Sequence, residues 1–281
     1  MLTPMSFQDL ERTISLVLEN NERVIFLDVN AIRPPIYPFE TLPFHPHPSN
    51  RPKSPIAPND IFGYLDARIR NHEFDALVNE TLRESAEHYF KVLFGQIEKK
   101  ENLLVAESTF NELKFNINSF RESYFSLPFI NLEFWGNLHT KKAIYENLEN
   151  HLDKLPAEKI IDLGHDETAK RYKKTLNLKA GVEDLTLFIT ACTQALIERK
   201  DFEIWSRDKH FVSMARQYEI IKEKHPKLPK VFIRYPYTKF SHISQRERTE
   251  SMNLTIRYPA NEPINVSIDK AVMINSELNN D

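Results

Sequence analysis

Glycine is scarce in this chain of 281 residues: only five are present, Gly63, Gly95, Gly136, Gly164 and Gly181, and none lies close to another. That excludes the G-x-G-x-x-G and P-loop motifs, which need several glycines to bring backbone near phosphate. Cysteine is scarcer still. The single Cys192 permits no intrachain disulfide and fits a reduced, cytoplasmic setting. No apolar run reaches 18 residues, so no membrane span is expected. The first residues, MLTPMSFQDLER, lack the basic start and apolar centre of a signal peptide. A basic excess is missing too: 37 Lys and Arg against 40 Asp and Glu leave a net charge of −3. A broadly basic nucleic-acid-binding surface is therefore not expected, although local clusters are compatible with that balance.

What is present is an ordinary globular composition, 41% hydrophobic and 27% charged. The length suits two domains, or one α/β domain with large insertions. Residues 24 to 30, VIFLDVN, place an apolar run directly before Asp28 and Asn30. A buried parallel strand has that form, and a carboxylate at its end is costly without a partner or a cation. LLVA at 103 to 106, KIIDLG at 159 to 164, FEIWS at 202 to 206 and VFIRY at 231 to 235 read as further strands. Between 185 and 196, Leu185, Phe188, Ile189, Cys192, Ala195 and Leu196 recur at helical spacing, with Asp184 at the head of the run. In open parallel sheets, strand ends and helix starts of this kind gather at one edge, where ligands bind.

Each acid also has a structural reading. Asp184 suits a helix N-cap, and Asp208 suits a turn after a strand. Thr109-x-x-Glu112 spells a capping box with a helix start at Ser108 or Thr109. Glu107, at the end of its strand, competes with Glu112 for a functional role. Residues 6 to 20 read as an amphipathic helix, and residues 60 to 99, 140 to 153 and 166 to 178 as helices. Nine prolines between 33 and 58 exclude regular structure there and suggest a lid or specificity element. His45 and His47 in that stretch read as loop residues. The aromatic-rich stretch 120 to 138 reads as packing, with base stacking as the alternative. Lys170, Arg171, Lys173 and Lys174 form a charge run that reads as a solvated helix face or as contacts to a phosphate backbone. Alternating Leu254, Ile256, Tyr258 and Ile264, Val266, Ile268 suggest a C-terminal β-hairpin.

The blocks FLDVNAI, STFNEL, EDLTLFITACTQAL and WSRDKHF, in that order, resemble the PIN-domain family of metal-dependent ribonucleases. The resemblance spans about residues 20 to 235 as separated blocks. It implies a three-layer α/β/α fold with a mostly parallel sheet of about five strands. The nuclease domain would occupy residues 1 to 235, with a proline-rich and helical insertion at 31 to 100 and a helical insertion at 116 to 158. The hairpin extension would fill 236 to 281. The resemblance further implies that Asp28, Glu112, Asp184 and Asp208 hold Mg²⁺ or Mn²⁺, hard cations that suit carboxylate oxygens. Asn30 and Ser206 would orient ligands or water, while Lys209 and His210 read either as neutralising phosphate or as plain surface residues. The expected activity is hydrolysis of RNA by an endonuclease. An antitoxin-type protein partner fits some relatives, although this chain is much longer than the compact toxins. The alternatives are a non-catalytic scaffold that binds RNA or protein, and a phosphatase with Asp28 as nucleophile, for which Asn30 stands where a second acid is usually wanted.

Overall fold

The apolar run before Asp28 forms the central strand of a sheet. The computed structural model of the chain describes residues 22–34, 60–126, 132–176, 180–206, 208–234 and 264–265. In it, β1 (Arg23–Leu27) pairs in parallel with β2 (Leu103–Ala106) on one side and with β4 (Asp201–Trp205) on the other. The strand β3 (Ile160–Ile161) lies beyond β2, and β5 (Val231–Arg234) beyond β4, both parallel. A two-residue strand, β6 (Ile264–Asn265), joins β5 antiparallel, giving the order β3-β2-β1-β4-β5-β6. Apart from β6, the segment read as a C-terminal hairpin lies outside the described residues, as do the helix at 6 to 20 and most of the proline-rich stretch with His45 and His47.

Side chains alternate across a strand, and here both faces are apolar. Ile25 and Leu27 of β1 join one core with Leu103, Val105 and Trp205, while Val24 and Phe26 join another with Leu104, Phe202, Ile204 and Ile233. Four helices cover the first face: α2 (Ile61–Arg70), α3 (Ala76–Lys99), α4 (Glu107–Ser126) and α5 (Leu132–Leu152), the short α1 (Val29–Ile32) having opened directly after β1. On the second face lie α6 (Asp166–Leu176), α7 (Val182–Glu198) and α8 (Lys209–Lys224). The fold is therefore α/β in three layers. The helices α2, α3 and α5, in stretches read as insertions, supply much of the first core: Leu65, Phe90, Leu93 and Leu148 are completely buried. Burying one such side chain contributes about 1.5–3 kcal/mol.

Local chemistry sets the helix starts. Asp60 and Asp75 cap α2 and α3 by accepting N–H groups of Gly63 and of Leu77 and Val78. The expected start of α4 at Ser108 or Thr109 is displaced: the helix begins at Glu107, directly off β2, and Thr109 is buried within the first turn. The capping box with Glu112 is consequently absent, since Thr109 is no cap. Asp184 is likewise not the cap of α7. Gly181 is, and Asp184 sits three residues in, with its Oδ2 accepting the Gly181 N–H at 3.0 Å. The strand expected at 159 to 164 shrinks to two residues, because Gly164 turns the chain at φ +65° and Asp162 accepts its N–H.

Strand order reverses between β1 and β4, for the chain leaves β1 toward β2 and leaves β4 toward β5. Beyond the carboxyl ends of that central pair lies the crevice in which open α/β sheets bind ligands. Asp28, Ser206 and Asp208 all fall there.

Candidate metal centre

Asp28 follows the last residue of β1 and is 5% exposed. Its backbone N–H donates to the Trp205 carbonyl at 3.0 Å, which fastens the ends of β1 and β4 together. Ser206, completely buried, donates from Oγ to Asp28 Oδ2 at 2.7 Å. The same Oγ accepts the Asp208 N–H at 2.9 Å. One hydroxyl thus ties the acid after β1 to the acid after β4. Burial drives the Asp28 carboxyl up to about 6; the Ser206 hydroxyl opposes the rise, Asp184 adds to it, and the N–H groups of Val29 and Asn30 oppose it.

Asp208 caps α8, its Oδ1 accepting the His210 N–H at 2.8 Å. Cap and second helical residue therefore leave the helix end side by side. His210 Nδ1 lies 3.3 Å from Asp208 Oδ1 and 3.8 Å from Asp184 Oδ2. One ligand atom from each of Asp184, Asp208 and His210 falls within 4.8 Å of the others. The Asp184 carboxyl is raised, first by burial, then by Asp208 and Glu183, against the Gly181 N–H and His210.

Glu112 approaches the same place from α4. It is raised to about 7, first by burial and then by Asp28 and Asp184, while Arg33 counteracts. Asp184 stands at the centre of this field, electrostatically coupled to Asp28, Glu112, Asp208 and His210. Asp184 and Asp208 thus converge with His210, Asp28 is tied to Asp208 through Ser206, and Glu112 acts on the group through its charge. Glu107, the competitor, belongs to a different group: burial, Asp162 and Asp166 raise it, and none of the four acids figures among its partners. A helix that starts at Glu107 carries residue 107 outward, leaving residue 112 to reach over the sheet edge.

The cations expected at phosphate are less concentrated. Lys170 pairs with Glu167 on the exposed side of α6 at 2.6 Å. Arg171 and Lys174 are exposed and Lys173 is half-buried. Their helix packs against α7, whose first turn carries Asp184. Asn30 is half-buried within α1. Lys209 is the first residue of α8, and its side chain is outside the described set. His210 departs from expectation: its Nδ1 turns inward to the carboxylates. In the sequence His210 reads as a phosphate contact or a surface residue, and Arg33 is not singled out. The spacing Asp208-x-His210 at a helix start was the available signal for the first. For Arg33 there was none.

The residues fit a divalent cation. Oxygen donors from Asp184 and Asp208 converge with a ring nitrogen that is shielded from solvent and makes no hydrogen bond. Buried polar atoms are ordinarily hydrogen-bonded, whereas this nitrogen only has carboxylate oxygens 3.3 and 3.8 Å away. Two carboxylates with one imidazole are donors of the kind that hold a metal ion. Among the described residues no helix is long and apolar enough to cross a membrane. No family model matches the chain, and neither a curated protein nor a solved structure matches it.

Proposed function

We propose that this protein is a metal-dependent nuclease of the PIN-like kind, hydrolysing phosphodiester bonds in RNA. The observation that carries the reading is the convergence of Asp184, Asp208 and His210 within 4.8 Å, beside Asp28 and Glu112, at the crevice where strand order reverses. Asp28, Glu112, Asp184 and Asp208 would hold Mg²⁺ or Mn²⁺. Such an ion supplies an activated water and stabilises charge on phosphate oxygens. Ser206 fixes the orientation of Asp28 through its O–H and the approach of Asp208 through that residue's N–H. Asp184 is aimed by the Gly181 N–H. Burial of Asp28 and half-burial of Glu112 exclude bulk water from one side of the site. Both carboxyls must shed protons before they ligate, so metal binding strengthens as pH rises through about 6 to 7. The basic helix α6, packed on α7, offers contacts to a phosphate backbone. The choice of RNA over DNA rests on the family resemblance.

The test is cleavage of a labelled RNA with chelator, Mg²⁺ or Mn²⁺ by the wild type and by Asp28→Asn, Asp184→Asn and Asp208→Asn. Each amide keeps the shape and removes a ligand charge, and each variant should lose cleavage while remaining folded. Undiminished cleavage by a folded double variant, or no metal-dependent shift in the melting of the wild type at millimolar Mn²⁺, would transfer the protein to the class of non-catalytic scaffolds.

A further inference from the structure

We propose that His210 Nδ1 is a direct ligand, so that the centre binds its cation through Asp184, Asp208 and a ring nitrogen and thereby favours Mn²⁺ over Mg²⁺. The inference rests on the metal-dependent reading above and adds to it a ligand that an all-carboxylate set lacks.

Three features of the chain place that nitrogen. Asp208 is the cap of α8 and His210 the second residue of the helix, so both project from the same turn. The Asp208 carboxylate is held by the His210 N–H at 2.8 Å, and the Asp184 carboxylate by the Gly181 N–H at 3.0 Å. Each carboxylate is thus aimed before any ion arrives, and the imidazole faces both. Nδ1 is enclosed and makes no hydrogen bond, although the side chain as a whole is 41% exposed. The exposed part of the ring faces solvent while Nδ1 lies 3.3 and 3.8 Å from the two carboxylates. A ligating Nδ1 presents its lone pair, which assigns the ring proton to Nε2.

A nitrogen in the set changes the preference of the centre. Mg²⁺ is a hard cation that retains water and takes oxygen ligands. Imidazole suits transition ions better, and affinity for nitrogen-containing sites rises from Mn²⁺ along the first row. Removing His210 should therefore weaken Mn²⁺ much more than Mg²⁺. A protonated imidazole bridging the two carboxylates makes the opposite prediction: its removal deletes a positive charge from the site, and either ion then binds as well or better.

The experiment uses the full chain, uniformly labelled with [¹⁵N]histidine or unlabelled, loaded with one equivalent of Mn²⁺. Electron spin-echo modulation reads nitrogen bound to the ion, and calorimetry gives the Kd for Mn²⁺ and for Mg²⁺. The expected result is nitrogen modulation that changes with the isotope and vanishes in His210→Ala. The Kd for Mn²⁺ should rise at least about 10- to 100-fold, the range seen when even indirect partners of a metal ligand are lost. The Kd for Mg²⁺ should move less, so that the Mn²⁺/Mg²⁺ ratio collapses. The ring is half exposed, so the variant should fold; if it does not, the isotope-dependent modulation of the wild type decides alone. Mn²⁺ binding without nitrogen modulation overturns this proposal and leaves the nuclease reading standing. No Mn²⁺ binding, together with no cleavage, overturns both.

Discussion

Two carboxylates are buried in adjacent strands of one sheet, and their surroundings are opposite. Glu203, in β4, is 2% exposed. Its oxygens accept from Arg23 Nη1 at 3.0 Å, from Trp205 Nε1 at 2.7 Å and from Arg234 Nε in a short contact. Arg23 in turn lies over the Phe232 ring at 3.6 Å. Asp28, nearly as buried at 5%, receives one hydroxyl and two backbone N–H groups, and the charge of another acid, Asp184, acts against it. One carboxylate therefore has its charge matched by arginines within the fold, while the other meets hydrogen-bond donors and a second acid. Buried charges require pairing or a metal, and comparing the two acids separates a structural use of burial from a functional one.

The largest expected effect breaks the matched side. Glu203→Ala leaves a cavity and removes the carboxylate that Arg23 and Arg234 share. Loss of one partner from a buried ion pair costs about 3–5 kcal/mol. Urea unfolding should show that loss equally with chelator and with Mn²⁺. A cost under about 1 kcal/mol would mean that the two arginines are satisfied elsewhere, and the contrast with Asp28 would collapse.

Next comes the unmatched side, where the sign reverses. A carboxyl whose folded pKa lies above its unfolded one takes up a proton on folding. The folded state then binds more protons than the unfolded between those values, and stability falls as pH rises across that window. For Asp28 the window runs from 3.8 to about 6, and the accumulated loss is on the order of 3 kcal/mol. Without metal, Asp28→Asn should therefore be the more stable protein at neutral pH, and the difference should vanish near pH 4. With metal the order inverts, because the wild type gains about 2.7 kcal/mol when the ion is at a hundredfold excess over its Kd and the variant gains less. Thermal melts across pH, with chelator and with Mn²⁺, read both. A variant less stable than the wild type in chelator at neutral pH contradicts the argument.

How much of this was legible beforehand follows from what each acid depends on. Asp28 stood out because an apolar run ended in a charge, a local pattern that needs no fold to interpret. The layers were legible for a similar reason, since β1 is apolar at every position from Val24 to Leu27 and both its faces had to be covered. Glu203 was invisible as a structural centre. It sits inside FEIWS, which reads as an ordinary strand, and its partners Arg23 and Arg234 lie 180 and 31 residues away. Caps were misread where a charged or hydroxyl residue stood near a helix start. The helix of Asp184 is capped at Gly181, and that of Thr109 already starts at Glu107, directly after Ala106 of β2. Glu112 ranks above Glu107 in the sequence because a helix-borne side chain after a strand can reach back over the sheet edge, and here Glu112 is the one whose charge acts with Asp28 and Asp184.

A smaller effect sharpens the comparison at the hydroxyl. Ser206→Ala removes the hydroxyl that donates to Asp28 and accepts the Asp208 N–H. A hydrogen bond to a charged group contributes about 1.5–3 kcal/mol, so the wild type should lose roughly that amount at neutral pH. Since the hydroxyl holds Asp28 down, its removal should also move the Asp28 titration upward. In an Asp28→Asn background the cost of Ser206→Ala should shrink, and a double-mutant cycle gives the coupling directly. Additive costs would detach Ser206 from the charge of Asp28.

The smallest change in stability is expected at the helix between the two acidic groups. Glu112→Gln removes a half-buried charge that Asp28 and Asp184 oppose. Solvent weakens that repulsion, so the gain in chelator should stay within about 1 kcal/mol. Glu107→Gln, on the outward side beside Asp162 and Asp166, should be close to neutral in stability. The two variants are nonetheless a sensitive pair, because their effects on chemistry diverge where their effects on stability do not. If Glu112 completes the ligand set, Glu112→Gln weakens metal binding and RNA cleavage together, while Glu107→Gln alters neither. Had Glu112 been a capping residue, glutamine would have replaced it without consequence, and the buried Thr109 already argues against a cap there. Cleavage rates and metal-dependent melting shifts for both variants, measured side by side, decide the matter. Should Glu107→Gln prove the inactive protein, the fourth ligand lies on the outer face of α4, and the centre described around Asp28 would have to be redrawn toward Asp162 and Asp166.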